Sequence, residues 1–208
     1  MSLQIPATES DIGQREFIAM MAMIQALQSL AFTSLLPALG HIAADFQIAH
    51  SNERQLIISV FLISSGLGSL IPGTISDRYG RKPTLIWIGV LYFVSAIGSA
   101  LAWDPMSFIF FRFIGGLGVG ASSVAAPAYI AEIAPSAWRG RLVALFQTMI
   151  VVGILVAFLS NLLIEGAGAN DWRWMLGAEG APALLYLLAV FAIPESPRWL
   201  AQRKGDLA

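Results

Sequence analysis

Residues 76–83 read SDRYGRKP, and four of these eight residues are charged: Asp77, Arg78, Arg81 and Lys82. On either side the chain carries no charge, over residues 55–76 and again over residues 83–103. Each of these stretches reaches the about 20 apolar residues that a helix needs to cross a bilayer. The pattern predicts two membrane-spanning helices joined by a short, charged turn.

The composition excludes several classes of protein. Hydrophobic residues make up 57% of the chain and charged residues 12%, about half the usual charged share. A soluble protein of this composition would lack the polar surface to cover its core. The net charge of -1 offers no basic surface for nucleic acid. With no cysteine and only His41 and His50, which we expect in solvated loops, we predict neither a metal site nor a cofactor.

Six apolar stretches follow one another along the chain: residues 17–44, 55–76, 83–103, 105–131, 142–164 and 180–194. Arg112 interrupts the fourth stretch, and the sixth reaches spanning length if its helix begins near Trp174 and includes Glu179. We therefore predict an all-α integral membrane protein with six transmembrane helices. Residues 1–16 would form an N-terminal tail, 17–194 the helical bundle and 195–208 a segment at the membrane surface.

Basic residues predict the orientation, because cytoplasmic loops carry an excess of Lys and Arg. With the N-terminus inside, nine basic residues are cytoplasmic: Arg15, Arg78, Arg81, Lys82, Arg139, Arg141, Arg198, Arg203 and Lys204. Three are at outer ends: Arg54, Arg112 and Arg173. The tryptophans agree, since all except Trp87 fall at predicted membrane interfaces. We expect both termini to be cytoplasmic.

The segment GGLGVGA, residues 115–121, contains the G-x-G-x-x-A pattern of a dinucleotide-binding turn. That interpretation requires a preceding strand, whereas these glycines lie within a long apolar stretch. Small residues also recur in the second stretch: Ser65, Gly66, Gly68, Ser69 and Gly73. We predict close helix packing through these small residues and no nucleotide site.

Charged residues recur where the predicted helices reach the cytoplasmic side. Charges near a membrane are costly unless they are paired. Arg78 and Arg81 can reach carboxylates on neighbouring helix ends, of which Glu132 and Glu195 are the nearest in the pattern. Arg139 and Arg198 follow these two acids. The sequence predicts an ion-pair network that joins helix ends and that forms in one conformation and breaks in another.

Polar side chains inside the predicted spans are few. Gln25, Gln28 and Gln147 are the largest neutral ones, and they suit either hydrogen bonds between helices or contact with a polar solute. Arg112, about two turns into its helix, requires a partner or water. No serine, histidine and carboxylate arrangement and no pair of catalytic carboxylates converges in a helix, so we do not expect an enzyme.

Several segments resemble a known family. GTISDRYGRK (73–82) resembles the signature loop between helices 2 and 3 of the major facilitator superfamily. FRFIGGLGVG (111–120), PAYIAEIAPSAWRGRL (127–142) and PESPRWL (194–200) resemble its sugar porter branch. LLPALGHIAADF (35–46) and NERQL (52–56) are more similar to drug–proton antiporters of the same superfamily. The resemblance implies the N-terminal half of a transporter with two six-helix halves, which binds its solute between them and alternates its access.

The resemblance also implies residue roles. It gives a gating and ion-pair network composed of Arg112 and, on the cytoplasmic face, Asp77, Arg78, Arg81, Glu132, Arg139, Glu195 and Arg198. Asp77 would face a helix N-terminus in the other half. Arg112 matches an arginine near the proton-coupling residue of sugar–proton symporters. Gln147 matches a glutamine that hydrogen-bonds the sugar, and the expected solute site is completed by Gln25, Gln28, Thr33, Ile150 and Ile154.

Two departures from the family pattern affect the expected mechanism. Gln28 stands where the symporters carry an aspartate, and Thr33 occupies the acidic position of the antiporter pattern. Because residues 17–44 contain no carboxylate, we expect facilitated diffusion, or coupling through groups elsewhere. The family also continues beyond the equivalent of Ala208 into six more helices. We therefore expect either a missing C-terminal half or the pairing of two copies.

The expected function is secondary transport of a sugar or similar small polar organic solute across the plasma membrane, as a symporter or uniporter. The partners would be the solute, the lipid bilayer and the second half. A drug or metabolite–proton antiporter is the alternative within transport. A non-transporting six-helix membrane scaffold is the alternative outside it.

Overall fold

The fold is known from a computed structural model, which describes residues 28–48, 50–70, 72–133, 139–166, 168, 170–192, 195 and 199. This part of the chain contains helices and turns and no strand, which confirms the predicted all-α fold class. Residues 28–33 are helical and lead into α1. The helices are α1 (Leu35–Asp45), α2 (Ser51–Leu70), α3 (Pro72–Tyr79), α4 (Arg81–Ala100), α5 (Pro105–Ile133), α6 (Arg139–Ile164), α7 (Asp171–Ala178) and α8 (Gly180–Ala192).

Several helices are long and apolar enough to cross a membrane. Among the described residues there are four such spans: Arg81–Ala100, Pro105–Ile130, Gln147–Ile164 and Asp171–Phe191. A fifth results if the bent pair of α2 and α3 crosses as one unit. The first predicted stretch begins in residues 17–27, which lie outside the described part. Five of the six predicted stretches, all except residues 17–44, therefore coincide with observed helices. A membrane span over residues 17–44 stays a prediction.

Proline explains the bend in the second stretch. Pro72 opens α3, and its ring nitrogen has no N–H to continue the hydrogen-bond ladder of a preceding helix. The α2 and α3 axes differ in direction by 41°. The uninterrupted charge-free stretch at residues 55–76 thus forms two helical segments rather than one straight helix.

His41 corrects one expectation from the sequence. It does not lie in a solvated loop, because α1 continues to Asp45 and places His41 on its surface. Its Nδ1 lies 3.1 Å from Oδ1 of Asp171 at the start of α7. The helix extends this far because Ile42 and Ala43 are buried in the core.

Two apolar clusters hold the described bundle together at opposite ends of α4. Near the start of α4, Leu85 and Ile88 pack with Tyr129 of α5 and Tyr186 of α8. Beyond its end, a second cluster joins α1, α5 and α7 through the buried side chains of Ile42, Phe108 and Trp172, with Phe46 packed against them. The rings of Phe108 and Trp172 meet edge to face, with centroids 5.9 Å apart.

Small residues bring α2 and α5 into backbone contact, as the sequence predicts. A Cβ at Gly120 would collide with the Ser65 carbonyl, and one at Gly68 would collide with the backbone of Leu117. Gly66 and Gly73, which the same prediction included, have open space where a Cβ would lie. Close helix packing is therefore confirmed at Gly68 and Gly120, and it is not seen at Gly66 and Gly73.

Candidate functional site

The charged turn between α3 and α4 forms the first candidate centre. The Arg81 guanidinium donates from Nη2 to Oε1 of Glu132 at 2.7 Å and from Nε to the same oxygen at 3.1 Å. The same Nη2 lies 2.7 Å from Oδ1 of Asp77, one turn earlier. Arg81 also donates to the Ser76 hydroxyl. One guanidinium therefore joins the ends of α3, α4 and α5, and this geometry is the kind of charge-assisted contact that is strong and directional.

Glu195 completes this centre from the far end of the described chain. Its Oε1 accepts the backbone N–H of Lys82 at 3.0 Å, so a carboxylate lies at the positive end of the α4 dipole. Gly80 permits this approach: its φ is +108°, and a Cβ there would lie 2.9 Å from Oε2 of Glu195. The Trp199 indole N–H donates to the Asp77 carbonyl at 3.0 Å.

The structure places the other predicted network residues differently. Arg78 is exposed, and its guanidinium lies over the ring of its neighbour Tyr79, 5.7 Å from the centroid. Asp77 is also exposed, and its carboxylate engages Arg81 within the same turn. The backbone of Arg139 begins α6. Arg198 lies outside the described residues. The network is thus assembled around Arg81, Glu132, Asp77 and Glu195.

A second charged centre lies in the interior. Arg112 of α5 is fully buried, and its Nη1 lies 3.7 Å from Oε2 of Glu179 at the α7–α8 junction. The Nε donates to the Ser99 hydroxyl at 3.0 Å, and Nη1 donates to the Ala31 carbonyl at 3.4 Å. Among the described residues, Arg112 Nη2 and Glu179 Oε1 have no hydrogen-bond partner. A buried ion pair with spare hydrogen-bonding capacity is well suited to water or to rearrangement.

The predicted solute residues on α6 share one face of that helix. Gln147, Ile150 and Ile154 are spaced by three and four residues, as positions on one helical face are. Asn161 continues this face two turns further and donates from Nδ2 to the Ser34 carbonyl at 3.3 Å. Gln147 is exposed, and the two isoleucines are partly buried. This face of α6 therefore runs from Asn161, which contacts the Ser34 carbonyl just before α1, to the accessible amide of Gln147.

Two other predicted solute residues, Gln28 and Thr33, lie on the helical segment of residues 28–33 that precedes α1. Gln28 is partly buried, and its Oε1 is enclosed with no partner among the described residues. Thr33 is buried and donates its hydroxyl to the Ser29 carbonyl at 2.7 Å. Gln25 lies outside the described part of the chain. The structure thus leaves Gln28 with an unused acceptor and ties Thr33 to its own helix.

The sequence patterns do not mark Glu179, Ser99 or Asn161 as site residues. Glu179 is 67 positions from Arg112, and it marks the edge of the sixth apolar stretch. The sequence does offer a signal for Glu179. A buried arginine requires a counter-charge, and Glu179 is the only carboxylate within a predicted span. Within the described residues, no group of three or more His, Cys, Asp or Glu side chains is placed to hold a metal ion.

The apolar helices are those of a multi-pass membrane protein, and comparison with known proteins gives its class. The family described as "Sugar (and other) transporter" matches residues 16–207. The chain belongs to this family, whose members are transporters of the major facilitator superfamily and not enzymes.

Curated relatives are similar over most of this chain. A glucose transport protein of Synechocystis sp. (strain ATCC 27184 / PCC 6803 / Kazusa) is 49% identical over 74% of this chain and 35% of its own length. A D-xylose transporter of Levilactobacillus brevis is 42% identical over 72% of this chain and 33% of its own. A galactose-proton symporter of Escherichia coli (strain K12) is 39% identical over 80% of this chain and 35% of its own. The chain thus spans about a third of the length of these relatives.

Solved structures show the same arrangement of helices. The inward-open xylose transporter XylE of E. coli matches with a TM-score of 0.83 and 30% identity, over 90% of this chain and 49% of XylE. The proton:xylose symporter XylE bound to 6-bromo-6-deoxy-D-glucose matches with the same score and identity, over 91% of this chain and 46% of XylE. The predicted resemblance to sugar porters is confirmed.

Proposed function

We propose that this chain is the N-terminal half of a secondary transporter that moves a sugar, or a similar small polar organic solute, by alternating access. The carrying observation is the α6 face that begins at the exposed amide of Gln147 and continues through Ile150 and Ile154. An amide next to apolar side chains suits a sugar, whose hydroxyls require hydrogen bonds and whose ring carbons pack on apolar groups. The names of the relatives, which include glucose, xylose and galactose transporters, support this substrate class.

The proposed solute site combines residues of α6 with residues between positions 25 and 33. It comprises Gln25, Gln28, Thr33, Gln147, Ile150 and Ile154. The unused acceptor of Gln28 supports its inclusion, because a buried amide oxygen without a partner is costly and a solute hydroxyl would satisfy it. Thr33 would contribute mainly through shape, since its hydroxyl is already bonded within the helix.

The decisive experiment measures uptake by the full-length gene product in vesicles. Hexoses, pentoses and cationic drugs are compared, and we expect a sugar to be taken up. Gln147→Ala should weaken sugar binding by about 1–3 kcal/mol, the cost of an unpaired buried polar partner. Thr148→Ala is the matched control, because the Thr148 hydroxyl donates to the Ala144 carbonyl of its own helix. Uptake of a cationic drug alone would favour the antiporter alternative, and equal affinities of the two variants would remove Gln147 from the site.

The network around Arg81 is proposed as the gate on the cytoplasmic face, with Asp77, Arg78, Glu132, Arg139, Glu195 and Arg198. Its geometry supports this role, because one guanidinium holds the ends of three helices. Such contacts lie at a surface that must open when the halves move apart. Arg78, Arg139 and Arg198 enter the proposal through the family pattern alone.

The mode of coupling depends on the centre around Arg112. With Gln28 in place of an aspartate, the sequence predicts facilitated diffusion or coupling through groups elsewhere. The Glu179 carboxylate, which lies 3.7 Å from the Arg112 guanidinium, is a candidate for such a group. We propose that any proton coupling in this half runs through Glu179. Collapse of uphill sugar uptake by a protonophore would show coupling, and Glu179→Gln should then abolish accumulation while downhill exchange continues. Uptake that a protonophore does not affect supports facilitated diffusion.

The exposed surface of α6 supports a further partner. In the span Gln147–Ile164, 17% of the residues are buried, compared with 50% in an 18-residue stretch of the span Pro105–Ile130. We propose that a C-terminal six-helix half, or a second copy of the chain, covers part of this surface and supplies the other side of the solute path. In this arrangement the protein lies in the plasma membrane with both ends of the half cytoplasmic.

A further inference from the structure

A groove lies on the outside of the bundle between α3, α4 and α5. It has a volume of about 490 Å³, within the range of small-molecule sites. Its walls include Ile75, Tyr79, Trp87, Leu91, Leu117 and Ala121. The lining is almost wholly apolar, and the hydroxyl of Thr84 is bonded to the Gly80 carbonyl. The groove is separate from the α6 face and from the Arg112–Glu179 pair, and it borders the charged turn at Tyr79 and Pro83.

The depth of the groove matches one leaflet of a bilayer. Along α4 it extends from Pro83 to Leu91, which is eight residues or about 12 Å of helix. Half of the hydrocarbon core measures about 15 Å. The groove begins at the charged turn, where the membrane surface must lie, and runs into the apolar region. Trp87 and Tyr79, which are 68% and 60% exposed, form its open edge.

A positive charge lies at the surface end of the groove. The Arg78 guanidinium is 5.7 Å from the ring centroid of Tyr79, a residue of the groove wall. Within the described part of the chain Arg78 takes part in no ion pair, and the neighbouring Asp77 is engaged by Arg81 at 2.7 Å. A free guanidinium presents paired N–H donors that match a phosphate group.

We propose that the groove binds one glycerophospholipid of the surrounding bilayer, with its phosphate on Arg78 and an acyl chain between Trp87 and Leu117. The apolar wall, the leaflet-length depth and the unpaired cation at the surface end fit the two parts of such a molecule in the correct order. In this arrangement Trp87, about one turn inside α4, borders the part of the groove that holds the acyl chain.

The test uses the full-length protein in phosphatidylcholine vesicles that contain a trace of phosphatidylglycerol with a diazirine in its acyl chain. After illumination, labelled peptides are identified by mass spectrometry. We expect the labelling of residues 72–91 to exceed that of the exposed α6 residues 151–163 several-fold. A diacylglycerol with the same diazirine, which lacks the phosphate, should label residues 72–91 at least fivefold less.

Two pairs of variants locate the phosphate and the chain. Arg78→Gln should reduce labelling of the groove about fivefold. Lys82→Gln, a matched change in the same turn, should not, because the Lys82 ammonium is bonded to the Phe191 carbonyl on another side of α4. Trp87→Ala should reduce labelling, and Trp103→Ala, which removes a comparably exposed tryptophan, should not. Both tryptophans are exposed, so neither change threatens the fold.

Three results would overturn the proposal. Labelling spread over the exposed helical surfaces in proportion to their area would mean that no site exists. Equal reductions in labelling by Arg78→Gln and Lys82→Gln would contradict a contact between the lipid phosphate and Arg78. The absence of label from residues 72–91 would show that another part of the protein covers the groove.

Discussion

The Arg112 guanidinium and the Glu179 carboxylate lie 3.7 Å apart in the interior of the bundle, although α5 carries one and the α7–α8 junction the other. Neither group is accessible to water from outside, since Arg112 is 0% and Glu179 3% exposed. Their charges therefore depend on each other, and on the Ser99 hydroxyl and the Ala31 carbonyl. Any change that removes one charge leaves the other buried without compensation.

Glu179→Gln should lower the free energy of unfolding by about 3–5 kcal/mol, because it leaves the Arg112 charge unpaired in a low-dielectric interior. The double variant Arg112→Met, Glu179→Leu should lose less than this single variant, since it removes both charges together. Denaturant unfolding of the protein in detergent, followed by tryptophan fluorescence, measures both. Glu53→Gln, an exposed acid at the start of α2, is the control and should change stability little. A single variant as stable as the unsubstituted protein would show that the pair carries no net charge interaction.

Gln147→Cys should react with a membrane-impermeant maleimide, and added sugar should slow the reaction. The sequence has no cysteine, so one introduced thiol reports on one position of this half. Val156→Cys is the control, because Val156 lies on the opposite face of α6 and is also exposed. Its thiol should remain unreactive if that face meets lipid, since the reactive thiolate requires water. Equal reactivity at the two positions would contradict an aqueous path along the Gln147 face.

Gly80→Ala should destabilise the protein by about 1–3 kcal/mol. The substitution forces a side chain into a backbone conformation with φ of +108°, and it places a Cβ against the Glu195 carboxylate. Gly40→Ala is the matched control. No atom lies within 4 Å of a Cβ at that position, and alanine favours helix over glycine by about 1 kcal/mol. Thermal unfolding midpoints should therefore fall for Gly80→Ala and stay or rise for Gly40→Ala.

Gly120→Val should separate α2 from α5, because a side chain at this position overlaps the backbone at Ser65. We expect a loss of more than about 3 kcal/mol, the scale of overpacking where only backbone can move. Gly66→Val lies on the open side of α2 and should cost less than about 1 kcal/mol. Yield of folded protein and thermal unfolding distinguish the two. If both variants behave alike, the close contact between α2 and α5 does not hold the bundle.

Local patterns in the sequence carry most of the fold. The apolar stretches beginning at residues 83 and 105 correspond to α4 and α5, because a helix that crosses a bilayer must be predominantly apolar. The charged turn is also recognisable, because its four charged residues lie between two charge-free stretches. These features depend on the residues of one helix or of one helix end.

Apart from the contact of Arg81 with Glu132, which their places at cytoplasmic helix ends suggest, pairings between distant residues could not be predicted in the same way. Glu179 appears in the sequence as an acid at the margin of an apolar stretch, and only the packing of α7 against its neighbours brings it to Arg112. Likewise, nothing in the spacing of Gly66, Gly68 and Gly73 shows that Gly68 alone meets the backbone of Leu117. Such contacts depend on the relative rotation of two helices, which a single sequence does not specify.

The contact between the Lys82 N–H and Glu195 has a consequence for the order of folding. The two residues are 113 positions apart, so the carboxylate that caps α4 is synthesised after α5, α6, α7 and α8. During synthesis, α4 enters the membrane with its first N–H groups facing the surface water. Its cap forms only when the last helix returns to the same side, a late and long-range step of the kind that slows folding. Closure of this contact thus marks the moment at which the whole half has assembled.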